Sequence, residues 1–217
     1  MDLYELVRGP LAWVAFLLFF VGSFYRMISL YIGIKKENVV YPYMSLKYGL
    51  RSILHWLTPF GSRNMQMRPV MTIVSFVFHI CLILVPVFLL GHIVLWYESW
   101  AIQCVSLSAP LADVMSFLVV IGCIFFLFRR ILAPEVRNVT DASDILLLLI
   151  VALPFLTGIL AYHQWGPYKP ILIFHILTGE IMLVAIPFTK LSHMLFFFFT
   201  RAYMGSEFGS VRNTRDW

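Results

Sequence analysis

His175 and His193 stand eighteen residues apart in one apolar stretch, 171–199, which reads ILIFHILTGEIMLVAIPFTKLSHMLFFFF. On a continuous helix that spacing puts both rings on one face, about 27 Å apart along the axis, with one imidazole near each side of a bilayer. Ionisable groups at membrane depth are costly and usually face a bundle interior, where they serve a function. Neutral imidazole is also the commonest metal ligand. For a lone ring the competing reading is a hydrogen bond to a neighbouring helix, but a matched pair at opposite depths favours ligation.

Those rings need a membrane scaffold, and the composition supplies one. The chain has 217 residues, 61% of them hydrophobic, and a mean hydropathy of +0.87, outside the range of soluble domains. Apolar segments at about 10–31, 70–95, 111–132, 145–162 and 171–199 each approach the ~20 residues that span a bilayer. Backbone groups in lipid must be satisfied internally. The expected fold is therefore all-α: one polytopic membrane helix bundle of five transmembrane helices, with a tail at 200–217. Asp2 and Glu5 before Arg8, and the length of the first apolar run, argue against a cleavable signal peptide. Pro10 is expected at a helix start.

The net charge of +5 is unevenly placed. Lys35, Lys36, Lys47, Arg51, Arg63 and Arg68 lie between the first two spans, Arg129, Arg130 and Arg137 between the third and fourth, and Arg201, Arg212 and Arg215 in the tail. The second-to-third connection has Glu98 and no Lys or Arg, and the fourth-to-fifth has only Lys169. The positive-inside rule then puts the N-terminus outside and the C-terminus in the cytoplasm. Topology accounts for the basic charge, so no nucleic-acid partner is expected.

The second span carries His79 toward the cytoplasm and His92 toward the exterior. Depth pairs His79 with His193 and His92 with His175, giving two bis-imidazole sites stacked across the membrane. Thirteen residues separate His79 from His92, which on a straight helix turns them about 140° apart. Pro86 lies between them and can kink the helix. Cys81, Cys104 and Cys123 form no C-x-x-C or C-x-x-C-H pattern, so neither a covalent c-type haem nor an iron–sulfur cluster is encoded.

Other residues have quieter readings. Between the first two spans, 44–57 is amphipathic, with Leu46, Leu50, Ile53, Leu54 and Leu57 on one side and Lys47, Arg51 and His55 on the other. It is expected to lie in the cytoplasmic interface, in contact with membrane lipid, with His55 at its surface. Asp113 opens the third span, and Thr140, Asp141, Ser143 and Asp144 form a helix start for the fourth. His163 falls at the outer interface. Gly179, one turn after His175, leaves room for a bulky group. Glu180 could pair with another helix or take part in proton transfer. Lys190 could snorkel to the inner interface or pair with an anionic group. The tail is polar and short of a core, and a soluble partner is expected to order it.

FHILTGE at 174–180, IPFTKLSH at 186–193, Phe78–His79 and Gly91–His92, on five spans with the N-terminus outside, resemble the nitrate reductase gamma-subunit family of membrane cytochromes b. The SRNMQMRP stretch at 62–69 is similar to short members found in transmembrane redox complexes of sulfate-reducing bacteria. The resemblance implies two non-covalent b haems, the inner held by His79 and His193 and the outer by His92 and His175; a haem propionate would then be an anionic group available to Lys190. Any quinone site would neighbour Gly91, His92, Tyr97 and Glu98, although the 96–110 loop has no lysine to match the one associated with quinol binding in nitrate reductase.

The expected function is a dihaem membrane subunit of a respiratory redox complex in the bacterial inner membrane. Bis-histidine ligation favours electron transfer over ligand activation. Menaquinol or a periplasmic multihaem cytochrome c would be the outer partner. A cytoplasmic iron–sulfur subunit resembling the catalytic subunit of heterodisulfide reductase would be the inner one, and chemistry on a final substrate would belong to it. The rivals are a quinol-oxidising subunit of a nitrate, formate or thiosulfate type oxidoreductase, and a haem-free membrane anchor or transporter.

Overall fold

The computed structural model describes residues 2–216, and every regular element among them is a helix. A turn at Leu3–Leu6 and a π-helical stretch at Val7–Leu11 run into α1 (Ala12–Lys35). There follow α2 (Leu46–Leu57), α3 (Pro69–Phe88), α4 (Leu90–Trp100), α5 (Ala109–Leu132), α6 (Ala142–Tyr162), α7 (Tyr168–Phe188) and α8 (His193–Ser206). Five stretches are long and apolar enough to cross a membrane: Leu3–Lys35, Pro69–Phe88, Ala109–Leu132, Ala142–Tyr162 and Tyr168–Phe188. No more than 33% of the most apolar window of any of them is buried within the chain. The remaining surface needs apolar surroundings, and the chain is a multi-pass helical membrane protein.

Three boundaries differ from the expected ones. The first span begins at Leu3, and Pro10 sits inside the π-helical stretch, whose wider turn accommodates a ring with no N–H to donate. The expected 70–95 helix is two helices. Leu89 between them is extended (φ −68°, ψ 129°), and Pro86 stands one turn before the break. The expected 171–199 helix stops at Phe188. Thr189 is extended (φ −128°, ψ −173°), and a 3₁₀ turn at Lys190–Ser192 leads into α8. The Thr189 hydroxyl donates to the Ala185 carbonyl at 2.7 Å and accepts the Leu191 N–H at 3.2 Å, so it closes one helix and caps the next turn. His175 and His193 therefore share neither a continuous helix nor the common helix face expected from their spacing.

The chain divides into two compact units. The first comprises Val74–Met182 with the N-terminal segment up to Ala12. Here α5 and α6 pack along each other, burying Ala112, Met115, Val119 and Cys123 on α5 and Leu147, Val151, Phe155 and Ile159 on α6. These recur at three or four residues, one helical face each. The start of α6 is the expected one: the Asp141 carboxylate accepts the Asp144 N–H and the Asp144 carboxylate accepts the Asp141 N–H, each at 3.1 Å. Asp144 is buried and pairs with Arg130 at 3.4 Å. Gly122 admits the Phe78 ring, since a Cβ there would stand 2.7 Å from it. Ion pairs join Lys169 to Asp2 at 2.5 Å and Arg8 to Glu98. They tie the N-terminal segment to the end of α4 and the start of α7, three places that the charge pattern also assigns to one side of the membrane.

The second unit comprises Trp13–Ile73 and the chain from Leu183 onward. Its centre is the packing of α2 against α8. Gly49 and Ser52 are buried on α2, Gly205 and Ser206 on α8. A Cβ at Gly49 would stand 3.2 Å from the Ala202 Cβ, and one at Gly205 would stand 2.6 Å from the Ser52 Cβ. The Ser206 hydroxyl accepts the Ser45 N–H at 3.1 Å. The tail thus packs on its own chain, because small residues on both helices allow backbones to approach. Leu46, Leu50, Leu54 and Leu57 stay exposed along the outer side of α2, as an interfacial helix requires.

Glu37 closes α1 by accepting the N–H groups of Val39 at 2.7 Å and Val40 at 2.6 Å. These bonds hold its carboxyl below its ordinary value. A depressed folded-state pKa gives stability that is present above the ordinary range and is lost as pH falls through the lowered value. Glu37→Gln should therefore unfold more easily than the native chain at neutral pH, and the gap should close on acidification, as read by thermal unfolding in detergent across pH. In the same assay Gly205→Val should cost about 1–3 kcal/mol, because its side chain has no space against α2.

Candidate functional site

In the first unit α4 carries His92 and α7 carries His175, and their rings meet. The ring centroids are 6.0 Å apart with planes 18° from parallel. That is too far for face-to-face contact. A metal bonded to one nitrogen of each ring at about 2 Å puts the centroids about 6 Å apart, so the spacing matches that of two imidazoles facing one ion. The two rings that depth pairs in the sequence lie side by side.

Each ring is anchored through its other nitrogen. His92 Nδ1 donates to the Pro86 carbonyl at 2.9 Å, and His175 Nδ1 donates to the Pro154 carbonyl at 2.9 Å. A carbonyl can only accept, so Nδ1 carries the proton and the lone pair lies on Nε2. The break at Leu89 makes the first bond possible, because α3 ends before the residue whose N–H would normally reach the Pro86 carbonyl. Thr157 adds its hydroxyl 3.4 Å from His175 Nδ1 while donating to the Leu153 carbonyl at 2.7 Å. Gly158 lets α6 approach the ring, since a Cβ there would meet the His175 ring at 3.0 Å. A Cβ at Gly91 or at Gly179 would meet no atom within 4 Å, so there is space beside both ring-bearing turns, as expected for Gly179.

His79 and His193 hold the same tautomer. His79 Nδ1 donates to the Ser75 carbonyl at 2.7 Å, and in the second unit His193 Nδ1 donates to the Lys190 carbonyl at 2.8 Å. All four histidines singled out in the sequence present Nε2 as the basic nitrogen, the arrangement found in histidines that ligate a metal. Lys190 contributes a backbone carbonyl in the 3₁₀ turn, with its side chain exposed.

The remaining histidines differ. His163 directs Nε2 to both Asp113 oxygens at 3.1 Å and stacks on Trp165 with centroids 4.7 Å apart. It joins α6 to α5 and is bonded through the nitrogen that the other four present. His55 lies half-buried on α2. The sequence reading missed Pro154, Thr157 and Gly158. Their signal was the LTG run one turn after a proline, on a helix with no ligand of its own.

No group of three or more His, Cys, Asp or Glu residues able to hold a metal ion occurs among the described residues. A haem iron asks for two protein ligands, because the porphyrin supplies the rest. The fixed tautomers, the ring spacing and the open glycines fit such a group at His92 and His175.

No family model matches the chain. It is 37% identical over 215 residues to a protein of Nitratidesulfovibrio vulgaris (strain Hildenborough), an alignment covering 97% of this chain and 95% of that one.

Gly158→Val should drive a branched side chain into the His175 ring and disrupt its geometry. Titration of the purified variant with haem, followed by absorbance, is expected to bind one equivalent fewer than the native chain.

Proposed function

The chain belongs to one family with that Nitratidesulfovibrio vulgaris protein, and we propose that it is the dihaem b-type membrane subunit of a respiratory redox complex. The observation that carries the reading is the His92–His175 pair, two near-parallel rings 6.0 Å apart with both Nδ1 atoms held by carbonyls. The resemblance to nitrate reductase gamma subunits points the same way. In this reading His92 and His175 hold the outer haem, and His79 and His193 hold the inner one. When bound, the haems supply reversible one-electron chemistry.

The chain's own part is positional. The Pro86, Pro154, Ser75 and Lys190 carbonyls fix the proton on Nδ1 and aim Nε2. His79, His92, His175 and His193 would hold the two haem irons as neutral imidazoles, which would disfavour oxygen binding. Apolar spans exclude water from the path. Positive charge between the first two spans, between the third and fourth, and in the tail supports an N-terminus outside and those basic segments on the cytoplasmic side of a bacterial inner membrane. An iron–sulfur subunit like that of heterodisulfide reductase would dock on these basic segments. Menaquinol or a multihaem cytochrome c would exchange electrons on the outer side.

The purified chain should show b-type absorption with about two haems per polypeptide, and a colourless protein would refute the proposal. His175→Ala should lose the outer haem and keep the inner, His193→Ala the reverse, and His55→Ala should keep both. Redox titration of each variant, with one midpoint missing from each of the first two, is the check.

A further inference from the structure

Glu180 lies on α7 five residues beyond His175, about 7.5 Å further along the helix. Its exposure is 8%, and neither carboxylate oxygen has a hydrogen-bond partner. The other acids of these spans are satisfied: Asp113 by His163 and Asp144 by Arg130 and the Asp141 N–H. The other titratable groups on this unit's spans are the buried thiols of Cys81 and Cys123, the imidazoles of His79, His92 and His175, and, at the span ends, Arg129, Arg130, Tyr162, Tyr168 and Lys169, and none bonds to Glu180. A lone carboxylate at this depth is too costly to stay ionised without a nearby positive charge.

Resting on the dihaem reading, we infer that Glu180 is a proton-binding site that loads when an electron reaches the His92–His175 centre. A ferric porphyrin with two neutral imidazoles carries one net positive charge, and the ferrous form carries none. In the oxidised state the positive charge balances an ionised Glu180 through a medium of low dielectric. When the quinol or cytochrome on the outer side supplies an electron, that balance is lost. Glu180 then takes one proton from the aqueous phase, forming its O–H bond, and the site remains neutral overall. Reoxidation releases the proton.

Redox-difference infrared spectroscopy on the haem-loaded chain tests this. Reduction should bring up a protonated-carboxyl C=O band that shifts in D₂O, is absent from Glu180→Gln and persists at a shifted frequency in Glu180→Asp. The outer midpoint potential should fall as pH rises in the native chain and be flat in Glu180→Gln. The haem-free native chain, lacking the balancing charge, should show the band without any reductant. Normal haem content with no band that depends on Glu180, or an unchanged pH slope in Glu180→Gln, overturns the inference while leaving the dihaem reading intact. A colourless chain overturns the dihaem reading itself.

Discussion

A backbone carbonyl at membrane depth must find a donor, and where α3 breaks after Pro86 the His92 imidazole N–H takes that part. The cost of an orphaned carbonyl in hydrocarbon, several kcal/mol by general reckoning, gives that bond a structural reason to persist. The bond also fixes which nitrogen stays basic. Structure and chemistry therefore use the same contact: the proton that completes the helix end at Pro86 is the proton whose position leaves Nε2 able to ligate. At Lys190 the carbonyl of the 3₁₀ turn between α7 and α8 accepts both the His193 backbone N–H and its imidazole N–H, so there the bond fixes the tautomer without closing an open helix end.

The spans were legible because apolar length is a strong signal, carried by residue type alone. The helix breaks were not. Leu89 stands among leucines and has no turn chemistry of its own, and the proline that permits the break lies three residues earlier. Thr189 ends α7 with one hydroxyl serving two backbone groups, which residue type does not announce. Because both breaks change helix phase, the eighteen-residue spacing of His175 and His193 carried less geometry than a straight helix would give it. His92 and His175 nonetheless lie beside each other, because the pairing by depth does not depend on helix phase.

Polar residues that looked incidental in the sequence organise the site. Thr157 sits against His175 from a span that carries no ligand, and Pro154 supplies the anchoring carbonyl. His163 looked ambiguous until its Nε2 was found on Asp113, an orientation that sets it apart from the four rings anchored through Nδ1. Tautomer separates these histidines more sharply than depth or exposure does.

The contact between α2 and α8 runs through glycine, serine and alanine, so its two sides are nearly backbone on backbone. Neither side can absorb bulk alone. Within the family, drift at 205 and at 52 should therefore be coupled: a homologue that enlarges one position should have trimmed the other, and this seam should show as correlated substitution where the lipid-facing leucines beside it vary independently.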